Sequence, residues 1–292
     1  KLYVTKCRKC GAEFPFDCAI WEQEVCKSIR YKSCPNCGNN ERTDCKLSAF
    51  DKNILSRIQA HKIKEWYPDN KLYHHSGKPF MKKEKYESLD QLFTKRNLYA
   101  LAVLMNAIEK EENKDLRSFL KIAFSSMVHL CSRLLAEGRP GYRPFSGVGW
   151  NQQSYWFTPR YMESNVWKKF ESAIKGTQGL INAKEESNKY FQKVRFASSL
   201  KQFLKEDSDI LIYTGSCLDL IKDIKKHFGD KQIIDYIFTD PPYDSSIQYG
   251  ELSFLWIAWL KMDKDYLENI ALNEIIHNDR QDKDFEVYHS LL

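Results

Sequence analysis

The sequence lacks two features that would place the protein in a membrane or outside the cell. No apolar run approaches the roughly 20 residues that a membrane-spanning helix requires. No secretory signal pattern opens the chain either. These absences predict a cytoplasmic protein without a membrane partner. Wholesale disorder is excluded, because hydrophobic residues make up 42% and aromatic residues 14% of the 292 residues, enough for packed cores.

Charge is unevenly distributed along the chain. Residues 1–99 hold 20 Lys and Arg against 12 Asp and Glu, whereas residues 201–292 hold 10 against 18. A basic front half suits a polyanionic partner such as a nucleic acid. A solvated surface with uneven charge explains the same counts, and composition does not separate the two explanations.

Seven of the nine cysteines lie within the first 45 residues, and four of them form the pairs Cys7–Cys10 and Cys34–Cys37. A Cys-x-x-Cys turn directs two thiolates at one ion, and two such turns complete a tetrahedral site that suits Zn²⁺. Gly11 and Gly38 follow the pairs, where a tight turn needs positive φ. The spacing predicts a structural zinc site, the alternative being two unrelated cysteine turns.

The other three cysteines of this region are explained better as buried or spare thiols than as a second metal site. They are Cys18, Cys26 and Cys45. Residues 46–87 interleave lysine with aromatic side chains, which can contact phosphates and stack on bases; a basic surface loop has the same composition. His74 and His75 lack ligand spacing and are interpreted as polar loop residues.

Helices are predicted in the middle of the chain. Residues 88–112 carry apolar side chains at helical spacing behind a capping box of Ser88 and Gln91. Residues 113–138 repeat the pattern and end at Gly138, and a third helix is predicted over 162–191.

A glycine-containing string, Phe145-x-Gly147-x-Gly149, separates the second and third of these helices. A cofactor loop of this form should follow a buried strand and open a helix. Polar, proline-rich and aromatic residues surround it instead, so we do not assign it to cofactor binding.

The last third of the chain has a strand–helix–strand pattern. Residues 209–215 and 233–240 are apolar runs of strand length, and the helix between them ends at Gly229. This pattern predicts a βαβ unit in a parallel sheet, in which ligands bind beyond the carboxyl ends of the strands. Residues 251–260 are apolar on all sides and predict a buried helix.

The sequence Asp-Pro-Pro-Tyr occupies residues 240–243, at the end of the second predicted strand. Two prolines there could simply end a strand. They also suit the methylation of an aromatic amine, a weak nucleophile whose two N–H groups need fixed acceptors. Asp240 and the carbonyl of Pro241 supply those acceptors, and Pro242 removes a competing donor. Tyr243 offers a face for stacking on a base flipped out of a duplex.

These residues carry a resemblance to a known family. "DPPY" after an apolar run resembles the catalytic motif of the amino-group DNA methyltransferases, which use S-adenosylmethionine. The whole chain is similar to a subgroup of adenine-specific DNA methylases that contain a zinc ribbon. The segments that carry this likeness are "CRKC", "CPNCG", "LFTKRNLYAL", "RPFSGVGWNQQSYWFTPRYMESNVWKKFE" and "FTDPPYDSSIQYGELSFLWIAWL". The aspartate in first place favours adenine, although N4-cytosine enzymes also use it.

The resemblance implies an α/β chain: part of a Rossmann-like methyltransferase domain, with an amino-terminal zinc ribbon and a helical region. Its boundaries would be 1–46 for the ribbon, 47–195 for a basic linker and helical region that positions DNA, and 196–292 for the catalytic part. It implies DNA as partner and leaves room for a restriction or defence-system protein. S-adenosylmethionine would contact Gly215, Ser216 and Asp219, although Asp219 also suits the plain first turn of a helix.

The glycine-rich cofactor loop of that family, Asp-Pro-Phe-x-Gly-x-Gly, is not found in the chain. By the family's order it would lie upstream of the zinc ribbon. The chain begins at Lys1, and by Tyr3 it already has the character of folded sequence. We therefore expect a fragment of a longer protein that holds the substrate-facing half of an active site, which leaves the activity of the fragment alone open.

Two other functions fit the same residues. One is a zinc-ribbon nucleic-acid-binding module whose methylase part is inactive, which the missing loop favours and the intact Asp-Pro-Pro-Tyr opposes. The other keeps the chemistry and changes the substrate to N4 of cytosine, or to an amine in RNA or protein.

Overall fold

The computed structural model describes most of the chain, namely residues 2–40, 45–81, 86–137, 155, 157–191, 193–205, 208–229 and 231–292. Its contacts divide the chain into two units. The first comprises Lys1–Leu180 and Pro242–Leu292, and the second comprises Ile181–Pro241. Within the described ranges, no helix is both long and apolar enough to cross a membrane.

The first unit begins with two small antiparallel sheets. Strands β1 (Val4–Lys6) and β2 (Glu13–Pro15) form a hairpin. A second sheet has the strand order β5-β4-β3-β6. Its members are β3 (Cys18–Glu22), β4 (Val25–Arg30), β5 (Cys45–Lys46) and β6 (Arg160–Ser164).

Strand β6 comes from a part of the chain for which the sequence predicted a helix, and that prediction is wrong at its start. Residues 160–164 pair antiparallel with β3, from Cys18 opposite Ser164 to Glu22 opposite Arg160. Four consecutive residues of β6 are buried, which a strand covered on both faces allows and a surface helix does not. Helices α4 (Val166–Lys175) and α5 (Leu180–Tyr190) follow.

Helix α1 (Ala49–Ala60) lies where the sequence predicted a basic linker or loop. Its capping box pairs Ser48 with Asp51: the Ser48 hydroxyl accepts from the Asp51 amide at 3.2 Å, and the Asp51 carboxylate accepts from the Ser48 amide at 2.8 Å. A Ser-x-x-Asp sequence before an apolar-periodic run is a helix-start signal, so α1 could have been found from the sequence.

The first of the two central helices begins later than the sequence predicted, whereas the second begins as predicted, with Asn113 as its N-cap. Ser88 makes no capping hydrogen bond and precedes a 3₁₀ turn, Leu89–Leu92. Helix α2 (Lys95–Glu109) begins instead after Thr94, whose hydroxyl accepts from the Asn97 amide at 3.2 Å. Helix α3 (Lys114–Val128) follows, with a 3₁₀ turn at His129–Cys131. Gly138, its predicted end, lies outside the described residues.

The core of the first unit joins these helices to the end of the chain. Helix α8 (Tyr249–Trp259) is largely buried, as predicted for residues 251–260. Its Trp259 packs with ring centroids 5.8 Å from Phe93 and 5.5 Å from Phe124. Beyond α8 come a π-helical turn (Leu267–Ala271), a 3₁₀ turn (Asp279–Gln281) and helix α9 (Phe285–Leu291).

The second unit contains short elements. Strands β7 (Phe196–Ala197) and β8 (Ile210–Leu211) form a two-residue parallel pair, with α6 (Leu200–Phe203) between them. Helix α7 (Cys217–Phe228) ends at Gly229, with φ +66°, as predicted. None of the described residues in 181–241 is buried.

The predicted strand at 233–240 is not formed, and its side chains are exposed. Phe238, for example, is 79% exposed. An apolar run becomes a strand only where a neighbouring strand pairs with its backbone groups, and in the part of the chain that the structure describes no strand pairs with residues 233–240. The chain is therefore mixed α/β with small sheets, and the Rossmann-like sheet stays a prediction.

Candidate functional site

The four cysteines of the two Cys-x-x-Cys pairs converge on one point. The Sγ atoms of Cys7 and Cys37 lie 3.6 Å apart, and those of Cys10 and Cys34 lie 3.7 Å apart. All four sulfurs lie within 4.8 Å of one another. Tetrahedral Zn²⁺ with bonds of about 2.3 Å separates its sulfur ligands by about 3.8 Å. The cluster can therefore hold a metal ion such as zinc.

The backbone of the two turns explains why the thiols converge. The Gly11 amide donates to the Cys7 carbonyl at 3.0 Å, and the Gly38 amide donates to the Cys34 carbonyl at 2.9 Å. The two glycines have φ of +74° and +67°, as the sequence predicted. A Cβ atom would meet nothing at either position, so the backbone conformation rather than space requires glycine.

The thiols of this region differ in acidity, also within the cluster. The Asn39 backbone lowers the pKa of Cys37, but burial and hydrogen bonds with the other three cysteines of the cluster outweigh it and raise that pKa to about 12. The Asn36 side-chain amide donates to Cys10 Sγ at 3.4 Å, and with the Ala12 backbone it lowers the pKa of Cys10 to about 6. Burial raises the pKa values of Cys18 and Cys26 to about 12, so these thiols stay protonated. Since Cys45 is buried as well, the interpretation of these three as buried thiols is confirmed.

Arg8, between the first two cysteines, ties the cluster to helix α1. Its Nε donates to Cys45 Sγ at 3.1 Å, and its Nη2 lies 2.8 Å from Asp51 Oδ2. Thr5 Oγ1 donates to the other oxygen of Asp51 at 2.7 Å. Burial alone would raise the pKa of Asp51, but hydrogen bonds from Ser48, Arg8 and Thr5 outweigh it and lower that pKa. The cysteine cluster and the start of α1 thus share one polar network.

A groove of about 710 Å³ lies beside this network. It presents Arg57 and His61 from the end of α1, and the His61 and Tyr99 rings lie 4.5 Å apart. The complete lining is Leu2, Glu13, Phe50, Asn53, Ile54, Arg57, Ile58, Ala60, His61 and Tyr99. Aromatic faces next to a guanidinium can bind a planar group that carries negative charge.

The Asp-Pro-Pro-Tyr motif crosses the boundary between the two units. Asp240 and Pro241 end the second unit and are exposed, whereas Pro242 and Tyr243 open the return of the chain to the first. Tyr243 is 54% exposed. The Pro242 carbonyl accepts a hydrogen bond from Tyr288 Oη at 2.9 Å. The motif therefore ends in a turn whose backbone is bonded to helix α9.

The predicted cofactor residues lie at the start of α7. Ser216 occupies the N-cap position without a side-chain cap, and Asp219 lies in the first turn. The Asp219 carboxylate lies 3.1 Å from Lys222 Nζ. Gly215, Ser216 and Asp219 are all exposed, so these residues do not enclose a cofactor by themselves. The string from Phe145 to Gly149 lies outside the described residues.

Sequence reasoning missed a buried polar pair. His74, predicted as a polar loop residue, is 5% exposed, and its Nε2 lies 3.0 Å from Oε1 of Glu251 on α8. The two atoms do not have the geometry of a hydrogen bond, since His74 Nε2 is buried without a hydrogen-bond partner among the described residues. The pair therefore places the 70–80 segment against α8 at a desolvation cost. Neither residue lies in a motif, and their distance along the chain leaves no periodic signal.

No protein-family model, no curated protein and no solved structure matches the chain. Its function is therefore inferred from its own residues.

Proposed function

We propose that the protein is an S-adenosylmethionine-dependent DNA methyltransferase that acts on the exocyclic amine of adenine. The observation that carries this proposal is the Asp-Pro-Pro-Tyr sequence at residues 240–243, which follows an apolar run and leads into the buried helix α8. Thiolate zinc ligands stay reduced in the cytoplasm, which suits the predicted location.

Each residue of the motif has a separate role in the proposed reaction. The Asp240 carboxylate and the Pro241 carbonyl accept the two N–H groups of the amine, which localises its lone pair for attack. Pro242 restricts the backbone between these acceptors and the ring. Tyr243, with half of its surface exposed, stacks on the extruded base.

The amino-terminal part of the chain positions the DNA. A Cys₄ zinc site has no open coordination position for water, so the metal is structural. The first cysteine turn contains Arg8, whose guanidinium donates to Asp51 in the first turn of α1. Helix α1 in turn carries Arg57 and leads to His61, both of which line the groove. An aromatic groove that carries Arg57 supports a DNA-binding role for this region, and Glu13 is the one acidic residue among the described residues that line it.

S-adenosylmethionine supplies the methyl group in this class of reaction. Gly215, Ser216 and Asp219 are the residues of this chain that we propose to contact it, but their exposure does not amount to a cofactor pocket. Calorimetric titration of the intact protein with S-adenosylmethionine tests this part directly. If the protein does not bind S-adenosylmethionine, the methyltransferase proposal is wrong and the nucleic-acid-binding module is the remaining candidate function.

The decisive experiment incubates the intact protein with DNA and S-adenosylmethionine, digests the DNA and identifies methylated nucleosides by mass spectrometry. We expect N6-methyladenine with the wild type, none with Asp240→Ala, and wild-type yield with Asp235→Ala, an exposed aspartate of the same segment. Detection of N4-methylcytosine would mean that the protein methylates the exocyclic amine of cytosine by the same chemistry. Full activity of Asp240→Ala would show that the site is elsewhere.

One observation favours the second candidate, a zinc-ribbon nucleic-acid-binding module with an inactive methylase part. The segment 233–240 is exposed and forms no strand, and residues 215–219 are exposed as well. Such a module would bind DNA with wild-type affinity whether or not Asp240 is present, and it would transfer no methyl group.

A further inference from the structure

The backbone of the turn that contains Tyr243 is hydrogen-bonded to helix α9 at the residue before the tyrosine and at the residue after it. Tyr288 Oη donates to the Pro242 carbonyl at 2.9 Å and accepts from the Asp244 amide at 3.2 Å. Tyr288 is 8% exposed, so this hydroxyl is held by its surroundings. One side chain thus fixes the residues immediately before and after Tyr243.

A second contact holds the same turn. Asp244 has a φ of +48°, in the left-handed region that aspartate enters more readily than most residues. Its Oδ1 lies 3.0 Å from His277 Nδ1, and its carbonyl accepts from the His277 amide at 3.5 Å. Asp279 faces the other ring nitrogen of His277 at 3.5 Å, and Phe285 packs edge-on to that ring.

We infer that Tyr288 and His277 are positioning residues that orient the Tyr243 ring for an extruded DNA base. This inference rests on the proposed function and adds residues that the Asp-Pro-Pro-Tyr motif does not contain. Because the turn is bonded at Pro242 and Asp244, the backbone that carries the ring is held before the base arrives. A ring on a held backbone loses less conformational entropy on stacking, and the benefit falls on DNA binding and base capture.

The same hydroxyl holds the backbone on both sides of the ring-bearing residue. The Pro242 carbonyl accepts from Tyr288 with one of its two lone pairs, while Asp240 and Pro241 remain the proposed acceptors in the reaction. Loss of the Tyr288 hydroxyl would release the Pro242 carbonyl and the Asp244 amide together. The backbone conformation at Tyr243 would then be less well defined.

The test uses Tyr288→Phe in the intact protein, with Tyr190→Phe, a 76% exposed tyrosine, as the matched control. Amide hydrogen exchange of Asp244 reports the contact without any activity, and we expect it to accelerate about tenfold in Tyr288→Phe. In methyl transfer we expect KM for DNA to rise about tenfold, with kcat reduced less. The control should change neither quantity.

Substitution of His277 tests the inference independently of Tyr288. His277→Asn keeps a donor near the Nδ1 position and should retain most of the activity, whereas His277→Ala should raise KM for DNA as Tyr288→Phe does. Unchanged Asp244 exchange in Tyr288→Phe would overturn the inference. Faster Asp244 exchange in Tyr288→Phe with an unchanged KM for DNA would overturn it as well. If the wild type transfers no methyl group and Asp244 exchange is still faster in Tyr288→Phe than in the wild type, the proposed function is overturned and the contact is established.

Discussion

Arg8 Nη2 lies 2.8 Å from Asp51 Oδ2, which joins the first cysteine turn to the first turn of helix α1. The Asp51 carboxylate also accepts from Thr5 and from Ser48. One carboxylate therefore caps a helix and binds the metal turn at the same time. Its removal should affect both parts together.

Asp51→Ala should lower the free energy of unfolding by about 2 kcal/mol at neutral pH, since it removes a helix cap and leaves Arg8 without its carboxylate. Urea denaturation measures this, with the exposed Asp69→Ala as control. The pKa of Asp51 is lowered in the folded chain, so its stabilisation is present above the unfolded value near 3.8 and is lost as the pH falls through the folded pKa. A difference between variant and wild type that grows in acid would contradict this account.

Cys34→Ser should abolish stoichiometric metal binding. We expect one zinc per wild-type chain by elemental analysis and none in the variant, because three thiolates and a hydroxyl do not hold the ion as four thiolates do. The segment 1–46 should then lose protection from proteolysis. Cys217→Ser, which changes an exposed cysteine outside the cluster, should keep its zinc. A metal-free protein with a protected amino-terminal segment would contradict the structural role.

Arg57→Gln should weaken DNA binding and reduce its dependence on salt. If the guanidinium contacts one phosphate, the slope of log K against log salt should fall by about 0.9. Fluorescence anisotropy over a range of salt concentrations measures both quantities. Lys189→Gln, at the end of α5, is the matched removal of a positive charge outside the groove. Equal effects of the two substitutions would show that the groove has no special part in binding.

Glu274→Gln should stabilise the protein at pH 8. Burial raises the pKa of Glu274, and its Oε1 accepts from the Gly250 amide at 2.8 Å, a bond that glutamine can keep. Below pH 4.5, the pKa of the glutamate in the unfolded chain, Glu274 is protonated in both the folded and the unfolded state, so its carboxyl group does not lower the stability. As the pH rises above 4.5 the unfolded chain ionises first, so wild-type stability falls until the pH passes the folded pKa.

Thermal unfolding at several pH values tests this prediction. The advantage of Glu274→Gln over the wild type should vanish near pH 4 and reach its maximum in the alkaline range. Glu268→Gln, on the exposed side of the same segment, should show no such trend. A Glu274→Gln protein that is less stable than the wild type at pH 8 would mean that the carboxylate is charged and well bonded.

Several features follow from the sequence alone because each depends on neighbours within a few residues. The two Cys-x-x-Cys turns with their positive-φ glycines, the end of α7 at Gly229 and the buried helix α8 all belong to this group. Their causes are local: turn conformation, helical spacing and a continuous apolar segment. The cysteine cluster that can hold a metal ion was therefore predictable.

The tertiary structure alone decided the features whose partners are far apart in the chain. Strand β6 pairs with β3, His74 is buried against Glu251, and Tyr288 bonds the turn around Tyr243. Residues 233–240 have the composition of a strand but do not form one, because a strand forms only where a neighbouring strand supplies backbone partners. Spacing along a sequence encodes turns and helical faces; it does not encode which distant segment will supply the other half of a hydrogen bond.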